Sequence, residues 1–225
     1  MEIALDAAQI GSGLGAAVPP LTLWMASGVP SFVLVETAER PTLVSLLIGG
    51  RLRPDAGAVR VDGASDAAAL RRRTALVDTP VVAEPTPGVS LAGVVAEEFV
   101  FAGRSGSRAA VRDFLASHDL LGYAKVAVRS LPPANRVRLF SELALLRDGV
   151  ESLVVTSPER HGGEPGDWYP ALAAIAERGI TVAIVTDAAT ADQLAILGAR
   201  DATDIPVPPE PEAIEEPEDP EEDVS

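Results

Sequence analysis

The sequence predicts an α/β fold, a core of buried parallel strands with a helical subdomain set into it. Three observations carry this. Strand-length apolar runs are followed by helix-length segments near residues 31–48 and again after residue 152. A block of helical runs over about residues 88–150 lies between them. The later strand runs, SLVVTS at 152–157 and GITVAIVTD at 179–187, are almost continuously apolar, as strands covered on both faces are.

In chain order, residues 21–26 (LTLWMA) and 31–36 (SFVLVE) read as two strands joined by a tight turn at SGVP. At Pro41 the period changes. PTLVSLLIGG has apolar residues at 43, 44, 46, 47 and 48, a proline suited to a first helical turn and Gly49-Gly50 suited to its end. After RLRPDAG come a short strand (AVRVDG), a polar helix near 65–73 and a strand at 74–78 (TALVD). Helical runs at 89–100, 108–117 and 134–147 are separated by GRSGS and LPPAN. Alternation then resumes with the strand at 152–157, a helix near 168–178, the strand at 179–187 and a last helix near 189–199. No internal repeat is visible.

The chain of 225 residues is long enough for one domain with a full core, and a hydrophobic fraction of 47% with positive mean hydropathy argues against global disorder. The net charge of −15 is uneven. Residues 206–225, PVPPEPEAIEEPEDPEEDVS, hold nine acids, six prolines and no base, which leaves −6 for residues 1–205. Such a segment repels itself and has little to bury, so a disordered, extended acidic tail is expected, acting as a solubiliser or as a docking segment for a basic partner. The expected division is one domain over 1–205, its helical subdomain at about 88–150, and the tail.

With no cysteine, disulfides and thiolate metal sites are excluded. His118 and His161 lack ligand spacing, so no metal site is expected. Residues 1–30 show no signal-peptide pattern and glycines or prolines interrupt every long apolar stretch, so a cytoplasmic protein without direct membrane insertion is expected. An acidic body whose only basic run is RRR at 71–73 argues against nucleic-acid binding. GSGLG at 11–15 reads as a turn, no serine-hydrolase motif is in frame, and Trp168 and Tyr169 read as packing residues at a helix start.

The stretch LLIGGRLRPDAGAVRVDG is similar to the helix after the phosphate loop and the LxGxxxPxxGxVxxxG segment of ATP-binding cassette (ABC) transporter nucleotide-binding domains. Further along, SLPPANRVRLFSELALL stands where that family has its LSGGQ signature, SLVVTSPER where its strand ends in Asp-Glu-Pro, and ITVAIVTDAA where its switch histidine follows a threonine. The resemblance covers about residues 20–200 and implies a P-loop NTPase-like, ABC ATPase-like sheet core. It would make the chain a degenerate member, because the hydrophobic frame is kept while the chemical positions differ.

Carried over residue by residue, the family's phosphate loop falls on residues 34–41. Leu34 and Glu39 then stand at the two glycines, Arg40 at the lysine and Pro41 at the hydroxyl residue, with Glu36, Thr37 and Ala38 between. Such loops work through glycine backbone curled around phosphate with its N–H groups inward, and Pro41 has none. At about 4 Å and an effective dielectric near ~20, each of Glu36 and Glu39 would repel a phosphate charge by about 4 kcal/mol. A lost charge-assisted donor removes about 1.5–3 kcal/mol more. Arg40 and Thr42 remain as residues that could hold a weakly bound ATP; without any ligand, Thr37 or Glu39 caps a helix with Pro41 in its first turn.

The magnesium-associated aspartate and catalytic glutamate of the family fall on Thr156 and Ser157, its switch histidine on Asp187, and its glutamine on Asp78 or Thr79. Thr156 and Ser157 offer no carboxylate to hold metal or polarise water. The signature loop reads Leu131-Pro132-Pro133-Ala134-Asn135, where two prolines remove donors. The resemblance so qualified implies a regulatory or structural subunit, its protein partner an integral membrane permease or a competent ATPase, lying at the inner face of the membrane through that partner. The oligomeric state stays open, because ATP largely holds the family's dimer together. Two alternatives stand beside it: a divergent active ATPase using Arg40, Thr42 and Glu159, and an adaptor working through its acidic tail.

Overall fold

In the computed structural model, which describes residues 1–35 and 40–206, the chain opens with two antiparallel strands, β1 (Glu2–Ile10) and β2 (Val18–Ala26), joined through a short 3-10 turn at Gly13–Gly15. Strand β3 (Ser31–Leu34) leads past residues 36–39 to helix α1 (Arg40–Ile48). Strand β4 (Ala56–Val61), helix α2 (Ala67–Arg73) and strand β5 (Thr74–Val77) follow. Three helices come next, α3 (Leu91–Phe101), α4 (Arg108–Ser117) and α5 (Pro133–Ala144). The chain then alternates through β6 (Ser152–Thr156), α6 (Pro165–Glu177), β7 (Thr181–Thr186), α7 (Ala188–Ile196) and the two-residue β8 (Arg200–Asp201).

Five strands make a parallel sheet in the order β5-β6-β7-β3-β8, and β2-β1-β4 form a separate antiparallel sheet. Every residue of β5, β6 and β7 is buried, as continuous apolar runs require when both faces are covered. Side chains alternate between the two faces. Leu153, Val155, Val182 and Ile184 enter a core with α3, α5, α6 and α7, which includes the fully buried Trp168. Val154, Ala183 and Val185 face a second core formed with α1, β1 and β2. This is the expected α/β architecture with its helical subdomain.

Local signals account for the boundaries. Asp66, Ser90, Ser107 and Asp187 accept backbone N–H bonds at the starts of α2, α3, α4 and α7. Prolines start α5 and α6 at positions whose N–H would be unpaired anyway. Helix α1 ends at Gly50, which has φ of 66°; Arg51 N then donates to Leu46 O at 2.8 Å and Gly50 N to Leu47 O at 3.0 Å.

Residues 21–26 and 31–34 are strands joined by a turn at 27–29, as expected. They lie in different sheets: β2 pairs with β1, and β3 with β7 and β8. Along β2 burial is broken, as on a sheet with one exposed face, whereas Ser31, Phe32 and Val33 are buried and fit only inside the parallel layer. Strand β4 likewise joins β1. Residues 207–225, most of the expected tail, lie outside the described residues. Among the described residues no helix is long and apolar enough to cross a membrane.

Candidate functional site at the carboxyl end of the parallel sheet

The carboxyl ends of β3, β5, β6 and β7 converge, as ligand crevices in open α/β sheets do. They bring together most of the positions singled out in the sequence: Arg40 at the start of α1, Asp78 and Thr79 after β5, Thr156 to His161 around the end of β6, and Thr186 and Asp187 at the end of β7. Glu36, Thr37, Ala38 and Glu39 lie outside the described residues.

Arg40 turns away from this centre. Its Nε donates to Ala17 O at 2.9 Å and its Nη2 to Ala16 O at 3.3 Å, tying the start of α1 to the loop between β1 and β2. Pro41 and Thr42 are half-buried in the first turn. At the end of β6, Thr156 is fully buried, and its hydroxyl is 2.8 Å from that of Ser45 on α1 and 2.7 Å from that of Thr79. This three-hydroxyl chain satisfies buried polar groups with one another and holds no charge.

Beside it lies a cluster of charges. Asp78 is 7% exposed and its backbone has φ of 53°, a left-handed conformation that aspartate tolerates better than most residues. Its two carboxylate oxygens accept from Arg136 Nε at 2.6 Å and Arg136 Nη2 at 2.7 Å, a bidentate pair between the end of β5 and helix α5. Arg136 also donates to Val128 O and lies 5.0 Å from the centre of the Phe140 ring. Arg160 Nη2 stands 3.1 Å from Asp78 Oδ1, while the same guanidinium donates to the backbone oxygens of Asp78, Thr156 and Ser157. His161 Nε2 is 2.9 Å from Asp78 Oδ2. Burial alone would raise the Asp78 carboxyl, but His161, Arg136 and Arg160 outweigh it and hold the group well below the usual carboxylate range.

Asp78, Glu84 and His161 come close enough together to suggest a cation site. Arg160 already contacts both carboxylates, and Arg136 grips Asp78. A metal ion there would meet two fixed guanidinium charges, so the donor set does not fit one.

Ser157 follows β6 with φ of 46° and donates its N–H to Val185 O at 2.7 Å. Glu159, two residues past Ser157 in the chain, accepts from the Thr186 hydroxyl at 2.9 Å. Burial pushes its carboxyl up, with the Thr186 bond working in the opposite direction. Asp187 caps α7 by accepting from Thr190 N at 2.8 Å. Pro132 and Pro133 form the start of α5. Arg136, Arg160 and His161 were not picked out by sequence reasoning as site residues. One signal was available for Arg136: it precedes Leu139, Phe140 and Leu143 by three, four and seven residues, which places a charge on the helix stripe that faces the core.

Comparison of folds relates the chain to solved structures. The structure is similar to an ATP-binding protein of a putative ABC transporter from Pyrococcus furiosus, with a TM-score of 0.62 at 14% identity over 83% of this chain and 92% of that one. It is also similar to a bacterial ABC transporter cassette solved as a dimer, with a TM-score of 0.62, 17% identity, and 85% and 90% of the two chains covered. A nucleotide-free ATP-binding cassette from an ABC transporter gives 0.60 at 15% identity, covering 84% and 82%. No protein-family model matches the sequence, and no curated protein is similar to it in sequence. The chain has the ATP-binding-cassette fold.

Proposed function

We propose that this chain is a degenerate, non-catalytic cassette: a protein with the fold of an ABC-transporter ATP-binding subunit that has lost ATP hydrolysis and most ATP affinity. It serves as a regulatory or structural subunit beside a permease or another ATPase. One cassette domain over 1–205, with its helical subdomain at about 88–150, carries this role in the cytoplasm, at the inner face of the membrane through its partner. The observation that supports this best is what occupies the carboxyl end of the sheet. Hydroxyls and an internally neutralised ion cluster stand where hydrolysis needs free carboxylates, and Arg40 is engaged by the Ala16 and Ala17 carbonyls. The Mg-ATP fit is therefore poor, with Arg40 and Thr42 the remaining ligands for a weak contact.

The partner surface is the cleft of about 600 Å³ between the segment after β5 and helices α3 and α5. Val82 and Phe101 line it and are exposed, with Val81 and Val100 exposed next to them. These exposed apolar side chains stand beside charged ones, Glu84, Glu97 and Arg147, a mixture that a protein partner can cover. Titration calorimetry with Mg-ATP tests the loss of affinity: no saturable heat is expected at micromolar concentrations, and micromolar binding would overturn the proposal.

Glu159 supports a second reading, a divergent active ATPase, because a half-buried carboxyl with raised proton affinity lies near the end of β6. That reading requires phosphate release above background that disappears in both Arg40→Ala and Glu159→Gln.

A further inference from the structure

At the far end of α1 from the site just described, a groove of about 480 Å³ runs between the end of that helix, the segment leading into β4, and α2. Its floor is apolar, with Leu52, Val59 and Leu70 along it. Its rim is basic. Arg51, Arg53 and Arg71 line it, and none of the three has an ion-pair partner among the described residues. The single acid in the lining, Asp55, is already engaged by Gly11 N at 2.7 Å. Arg51 is half-buried, bonded to Gly49 O and Thr74 O, and close enough to Arg71 and Arg147 to feel their repulsion. A rim of guanidinium groups with no ion-pair partner among the described residues, around an apolar floor, is unexpected in a protein of net charge −15, and it fits an anionic segment with an apolar anchor.

We propose that this groove holds the chain's own C-terminal segment. Ile214 meets the apolar floor, and Glu212, Glu215 and Glu216 meet Arg51, Arg53 and Arg71. Residues 207–225 contain no base, and Ile214 is the one large apolar side chain between Val207 and Val224. The geometry allows the reach. Ala202 O accepts from Trp24 N on β2, and the sheet from β2 across β1 to β4 is roughly 10 Å wide at about 4.8 Å per strand. The segment from Pro206 to Ile214 covers about 25 Å at ~3.1 Å per residue. The acidic composition then has an internal counterpart, and the proposal holds whether or not the chain binds ATP.

The test uses the full chain, which has no cysteine of its own. A nitroxide attached at Ala68→Cys, an exposed position on α2, would broaden the NMR signals of residues 212–216 in dilute buffer. The broadening should vanish at about 1 M salt, where the Debye length falls to ~3 Å. It should also vanish in R53E/R71E. The tail variant E212K/E215K/E216K reads the same contact without altering the folded body, should R53E/R71E not fold. Tail signals untouched by the nitroxide, or broadening that survives the charge reversals, would overturn the proposal. Broadening found only when isotope-labelled chains are mixed with separate spin-labelled ones would also overturn it, because the occupant would then be a second copy's tail.

Discussion

Asp78 has three cationic or potentially cationic neighbours from two parts of the chain that are far apart in sequence, and two consequences follow at the level of single side chains. Asp78→Ala would leave the buried Arg136 guanidinium unpaired, and urea denaturation should show a loss of about 3–5 kcal/mol. Asp78→Asn combined with Arg136→Gln should recover part of that, because both charges leave together and asparagine keeps the left-handed backbone. The second consequence is pH dependence. The folded-state affinity of Asp78 for protons is depressed, so its contribution is complete above the unfolded carboxyl value of about 4 and is lost as pH falls below it. Melting followed from pH 7 to pH 3 should therefore be nearly flat in this contribution above about pH 5 and drop in more acid solution. Asp78→Asn should flatten the acid limb. Thr156 offers a complementary test: Thr156→Asp places a carboxylate in a fully buried hydroxyl chain, so it should lower the melting temperature without restoring phosphate release.

At the scale of elements, the turn after α1 gives a sharp prediction. A methyl group on Gly50 would lie 3.0 Å from Ala67 O and would also force a left-handed alanine. Gly50→Ala should destabilise the protein by about 1–3 kcal/mol in chemical unfolding, and loosen the packing of α2 on the turn after α1. Both the helix and its ending were legible from PTLVSLLIGG, and so were β5, β6 and β7, because full burial on both faces leaves an unbroken apolar run. Strand β1 was missed because EIALDAAQI was judged only as a targeting segment, and β8 because two residues carry no period. The partners of β2 and β3 were missed for a different reason. Proximity in sequence favours a hairpin, and only tertiary burial shows that the short run SFVL belongs inside the parallel layer. Within the candidate site, Thr156, Ser157 and Asp187 were reached through the family resemblance, and they lie at the ends of β6 and β7. The gathering of Arg136, Arg160 and His161 around Asp78 was not legible in the sequence, since a charge cluster between α5 and the loop after β6 has no spacing signature.

For the molecule as a whole, the ion cluster ties helix α5 to the carboxyl end of the parallel sheet. Arg136 belongs to α5, whereas Asp78 and Arg160 follow strands of the parallel sheet. A buried bidentate pair there restrains α5 against the sheet. On the proposed function, the cleft next to it is a fixed docking surface. Phe101→Asp should abolish capture of the partner in a pull-down while leaving the circular dichroism spectrum and melting temperature unchanged, since Phe101 is 67% exposed.

The two tryptophans stand in different surroundings. Trp168 is sealed in the core shared with α3, α5 and α6, whereas Trp24 lies on the antiparallel sheet, half-buried, with the Arg200 guanidinium 5.1 Å from its ring. Intrinsic fluorescence therefore contains two separable reporters, a shielded blue emitter and a partly wetted, cation-facing one. Trp24→Phe and Trp168→Phe versions would show by emission colour whether the layers dissolve in concert or one after the other.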